Sequence, residues 1–147
     1  MTYKTSTGLR NHMLVTGSLK NALDGGSIKI YAGTEPATAD ASIGGATLLT
    51  TITISSGATG LSLDTVAASG VVTKPSGETW SGTNAASGTA TFYRHVATGD
   101  DGTASTTQAR IQGGVSSAGA EMNLSNPVLT SGATQTIDYY AINLPTF

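Results

Sequence analysis

Leu23-Asp-Gly-Gly-Ser-Ile-Lys-Ile-Tyr-Ala-Gly-Thr-Glu-Pro-Ala-Thr-Ala-Asp-Ala-Ser-Ile-Gly-Gly-Ala-Thr-Leu-Leu49 is the stretch whose reading decides the fold. Asp24-Gly25-Gly26 can end a helix, because glycine takes left-handed backbone angles at little cost. Ile28 and Ile30 then alternate with Lys29 and Tyr31, the period of a strand. A Pro/Gly/Ala loop follows, and Thr47 to Ile54 resumes a β-branched run. Helix, strand, long loop and strand in 32 residues set a β-rich pattern that the rest of the chain continues.

Downstream of it, strands are expected at Leu61–Val66, Gly70–Lys74, from Trp80, and at Gly88–Ala97. In the last of these Ala90, Phe92, Arg94 and Val96 oppose Thr91, Tyr93 and His95. Further strands are expected at Ala109–Val115, Glu121–Ser125, Pro127–Leu129 and Thr134–Leu144, separated by turn-forming clusters such as Thr98-Gly-Asp-Asp-Gly-Thr103. Many short strands at this spacing predict a mainly β domain, an antiparallel β-sandwich of jelly-roll-like type.

Upstream, residues 1–5 read as a free arm, and Ser6 or Thr7 can cap a helix. Leu9, Met13, Leu19 and Leu23 share roughly a third of a helical wheel, with Gly17 a point where the helix breaks into two pieces. The expected organisation is an arm and helix over 1–24 and a single β-sandwich over 25–147.

The composition agrees. Charged residues are 11% of 147, well below the usual ~25%. The polar positions are filled by 25 Thr, 16 Ser and 19 Gly, residues of strands and turns. With a net charge of −2 and no basic cluster, nucleic acid is not an expected partner. No apolar run is long enough for a membrane span, and the first residues lack a signal-peptide core. No cysteine is present, so disulfides and thiol chemistry are excluded together.

The residues that bear chemistry form no pattern. His12 and His95 have no ligand spacing between them. Gly-x-Ser-x-Gly is absent. Gly99-Asp-Asp-Gly102 reads as a solvated turn rather than half of a calcium loop. No phosphate loop or dinucleotide fingerprint occurs. The reading is therefore a non-enzyme, with no cofactor and no metal. Trp80 with Glu78 and Asn84 is the one cluster that suits a carbohydrate-binding module.

Several blocks, taken together, resemble small virion structural proteins of tailed bacteriophages. These are Ser6-Thr-Gly-Leu-Arg-Asn-His-Met13, Leu23-Asp-Gly-Gly26, Ile28-Lys-Ile-Tyr-Ala-Gly-Thr-Glu-Pro-Ala37, Gly45-Ala-Thr-Leu-Leu49, Gly88-Thr-Ala-Thr-Phe-Tyr-Arg94, Ala118-Gly-Ala-Glu-Met-Asn-Leu-Ser125 and Thr136-Ile-Asp138. The resemblance implies a β-rich, non-catalytic subunit, made in the host cytoplasm and residing in the virion. It implies a capsid decoration (cement) protein, or alternatively a tail or connector component. The partners would be the major capsid protein, other virion proteins and further copies of itself. The contact residues expected are Leu9, Met13 and Leu19 on the helix, Glu35, Pro36 and Ile43 on the long loop, and Tyr139 and Phe147 near the end.

Overall fold

A computed structural model describes residues 3–145. The chain order is β1 (Lys4–Thr5), α1 (Thr7–Val15), α2 (Leu19–Leu23), β2 (Ser27–Ala32), β3 (Thr47–Ile54), β4 (Val71–Thr73), β5 (Trp80–Thr83) and β6 (Gly88–Thr89). There follow β7 (Phe92–Val96), β8 (Arg110–Ser116), β9 (Met122–Asn123), β10 (Val128–Leu129), β11 (Thr134–Ile137) and β12 (Ala141–Asn143). The fold is mainly β, antiparallel and sandwich-like, with a short helical N-terminus. Eight strands form one sheet in the order β1-β8-β7-β2-β3-β5-β11, with β9 added to β8 in parallel. β10–β6 and β12–β4 are separate two-stranded ribbons.

The helices start and stop where local chemistry dictates. Ser6 caps α1 by accepting from Leu9 N–H. The same hydroxyl accepts from Arg110 N–H and donates to Gln108 O, tying the cap to β8. The helix breaks at Thr16–Gly17, and Ser18 caps α2. After α2, Gly25 takes φ 81°, and Asp24 accepts from Leu63 N–H and from Lys20 Nζ. Lys4 and Thr5 are not a free arm: they pair with Gln112 and Ile111 at the open side of β8.

Register sorts the central side chains onto two faces. Ile28 lies opposite His95, which lies opposite Ile111, and Ile30 lies opposite Tyr93. These point into the apolar core with Leu9, Leu23, Ile52, Leu61, Trp80 and Tyr140. Lys29 lies opposite Arg94, which lies opposite Gln112, and Val96 lies opposite Arg110, all on the other face. The alternation read from the sequence is correct, yet every residue of β7 is buried.

Two expected strands are broken. The one at 88–97 divides at Ala90 and Thr91, whose N–H groups go to Pro127 O and Tyr31 O. The one at 134–144 divides after Ile137, where Tyr140 turns inward against Trp80 and His95, with ring centroids 5.5 Å away in both cases. Leu61 forms an isolated bridge with Gly26 in place of the expected strand at 61–66.

The large sheet is strongly curled. β9 and β11 are six strand spacings apart along it, roughly 29 Å if flat, yet they line one cleft. Curling encloses the core and brings the helices over its end. Leu9 is wholly buried while Leu14, on the same helix, is 79% exposed. Leu9→Ala is expected to cost about 2–5 kcal/mol in urea unfolding, and Leu14→Ala less than about 0.5 kcal/mol. Equal effects would contradict the placement of α1.

Candidate interaction surface

The second face of the sheet is built from charge. Arg110 is buried and makes a two-pronged ion pair with the buried Asp100, Nε to Oδ2 and Nη2 to Oδ1. Its remaining donors reach Ala39 O at 3.2 Å and Thr103 O at 2.7 Å. Arg94, also fully buried, donates to Gln112 Oε1 at 2.8 Å, Ala41 O at 2.7 Å and Thr38 O at 3.4 Å. Burial, and then the charge of Arg110, lower its pKa. From so high a starting value a guanidinium stays charged. Gln112 relays the arrangement outward to Pro36 O and Glu35 Oε1, and Glu35 pairs with Lys4 at 2.8 Å.

Buried cations need acceptors on all sides, since an unpaired polar group in the interior costs free energy. The carbonyls of 36–41 and 103 are those acceptors, so the 33–46 loop and the 98–108 segment lie down on the sheet. Ile43 N–H donates to Gly102 O, and Ser105 N–H to Asp40 O. Asp40 in turn accepts from the backbone and hydroxyl of Thr7 at the start of α1. Asp100 is therefore no solvated turn residue; the exposed member of the pair is Asp101, which accepts from Thr103.

This placement settles what each expected contact residue has to offer. Leu9 and Leu19 are core residues, a correction that follows from the helix stripe facing the sheet rather than a partner. Met13 is half-buried against the same core. Glu35 and Pro36 direct their acceptors to Lys4 and Gln112. Ile43 is half-buried over Gly102. Tyr139 is 76% exposed. Phe147 lies outside the described residues. The structure thus does not gather the seven described positions into one patch.

The exposed apolar side chains are a different set: Leu14, Val15, Val66, Val128 and Leu144 join Tyr139. Leu14 and Val15 fall off the helix stripe, and that was the sequence clue to their exposure. Two clefts accompany them. One, about 310 Å³, lies between α2 and the β4–β12 ribbon and ends at Leu144. The other, about 490 Å³, runs between β9 and β11. Trp80 is 1% exposed, with Nε1 donating to Glu78 Oε2. Asn84 is also buried, so that trio presents no ring for a sugar to stack on.

His95 sits wholly within the core, its Nδ1 3.2 Å from the Tyr140 phenol oxygen Oη and its Nε2 without a partner among the described residues. Burial lowers its pKa to about 4, against a small opposing effect of Asp24. Burial likewise raises the phenols of Tyr93 and Tyr140. Among the described residues no group of three or more His, Cys, Asp or Glu is placed to hold a metal. No helix among the described residues is long and apolar enough to cross a membrane. Comparison with protein-family models, with curated proteins and with solved structures returned no match.

Two outcomes follow from the buried groups. Asp100→Asn is expected to lose roughly 3–5 kcal/mol in denaturant unfolding, because it strands a buried guanidinium; a loss below about 1 kcal/mol would contradict the ion pair. The folded-state pKa of His95 lies below its unfolded value, so the unfolded chain binds the proton first as pH falls. Stability is expected to drop by roughly 3 kcal/mol between about pH 6.5 and pH 4 from this group. Chemical unfolding of His95→Gln across that window should lack this component of the slope.

Proposed function

We propose that this chain is a non-enzymatic structural subunit of a tailed-phage particle, a capsid decoration (cement) protein that works by adhesion. Its partners are the major capsid protein or other virion proteins, together with further copies of itself. It is made in the host cytoplasm and resides in the virion. The sequence blocks at 6–13, 23–37 and 118–125 that resemble such proteins support this reading.

The single observation that carries it is the set of exposed apolar side chains on a chain with few charges. Val15 is 86% exposed and Tyr139 is 76% exposed. Side chains of this kind gain about 25 cal/mol for each Å² of apolar surface removed from water. Many copies on one shell multiply a modest contact by avidity. The clefts beside α2 and between β9 and β11 are concave surfaces on which neighbouring chains can seat.

The test is antibody labelling of purified particles, followed by a side-chain-resolution reconstruction. Labelling is expected over the head, with density for this fold across seams of the shell. Label restricted to the tail would replace the cement role by a tail or connector role, and particles free of the chain would overturn the proposal altogether.

A further inference from the structure

The cleft between β9 and β11 has a feature that a generic adhesive surface lacks: strand edges on both sides. Asn84 N–H donates to Ala133 O, and Ser55 N–H to Thr79 O. These bonds set the alternation across β3, β5 and β11. Gln135 and Ile137 direct their backbone groups to β5, while those of Thr136 point away. Thr136 O accepts from the Gln135 side chain, and the register aims Thr136 N–H away from β5. On the opposite wall Leu124 N–H donates to Ser116 O, which leaves the backbone groups of Asn123 turned outward from β8.

β11 is also unguarded. Edge strands are commonly protected by lysine, proline or a bulge, and Thr134-Gln-Thr-Ile137 has none of these. The far edge is treated differently, since β1 is two residues long and carries Lys4. Buried Met122, Leu124 and Ile137 lie along the cleft among mostly polar neighbours, which include Asp138 and Glu121, whose Oε2 accepts from Gly114 N–H, and no Lys or Arg.

We propose that this cleft is a strand-acceptor site. An extended segment of another protein lies between β9 and β11, pairs with the backbones of Thr136 and Asn123, and closes the curled sheet. Alternate side chains of the segment point to Met122, Leu124 and Ile137, and a basic residue at its end meets Asp138. The occupant is read from charge: the cleft lining carries acidic residues and no Lys or Arg, which suits a segment ending in a basic residue, and pairing with a second copy is an outcome that the test distinguishes. The inference deepens the reading of the chain as an assembly subunit, and it rests on that reading only for where the partner is found.

The probe is an eight-residue peptide of alternating threonine and valine with lysine at both ends, added to the intact protein. Backbone amide exchange is followed by NMR. The Thr136 and Asn123 amides are expected to slow by about tenfold or more at saturation, the equivalent of ~1.4 kcal/mol. The same peptide with alternate amides N-methylated should show no such slowing, and neither should the Asn123 amide of the Thr136→Pro protein. An edge proline whose N–H points outward is tolerated in a strand, so Thr136→Pro should keep its thermal midpoint. Lack of protection at millimolar peptide, or equal protection by the N-methylated peptide, would overturn the site. Concentration-dependent protection without peptide would overturn the stated occupant in favour of a second copy. None of these results depends on whether the chain is found in a virion.

Discussion

Two buried guanidinium groups govern the shape of this protein. Arg94 and Arg110 lie near each other on the outer face of β7 and β8, Arg110 paired with the carboxylate of Asp100 and Arg94 with none. Desolvating such charges costs several kcal/mol each unless acceptors surround them. The chain meets most of that demand with Asp100, Gln112 and the carbonyls of two long loops, leaving Arg94 Nη1 without a partner among the described residues. Those loops are held to the sheet by electrostatic need rather than by apolar contact. Stability in excess of what hydrophobic residues would give at these positions is not implied; what the pairs impose is a unique arrangement of 33–46 and 98–108.

The opposite face works by ordinary means. Ile28, Ile30, Ile52, Trp80 and Tyr140 fill a core that the curled sheet wraps, and Leu9 and Leu23 close its end. The curl has two consequences. It encloses the side chains of the inner face, the outer face being covered by the two long loops, and it brings the two ends of the sheet to a common cleft. The surface left for partners is thereby moved away from the loops and toward the helix flank at Leu14 and Val15, the end of the β4–β12 ribbon, and the seam beside Tyr139.

Much of this was legible in the residues. Period-two alternation located β2, β3, β7 and β8, and the Ser6 cap and the break at Gly17 were visible from local chemistry. The rest was not, for identifiable reasons. Arg94 on an alternating strand has the pattern of a solvent-facing residue, and only the loop folding back over it makes it interior. Asp100 and Asp101 are chemically identical in sequence; Arg110, ten residues on, selects one of them for burial. Loops rich in Gly, Ala and Thr at 33–46 look like contact surface because nothing local reveals that their carbonyls have internal partners. The helix stripe marks a packing face that suits either a sheet or a neighbouring subunit, and Leu9 and Leu19, expected as contact residues, cannot state which body they pack against.

The account stands on the loops being part of the folded body. Amide hydrogen exchange of the intact protein, read at Ile43 and Ser105, addresses that directly. Their N–H groups bond across the loops to Gly102 O and Asp40 O. Exchange slowed to the degree seen in β7 and β8 is the predicted result. Exchange at the rate of an open, solvated loop would contradict it, and with it the role given to the buried arginines.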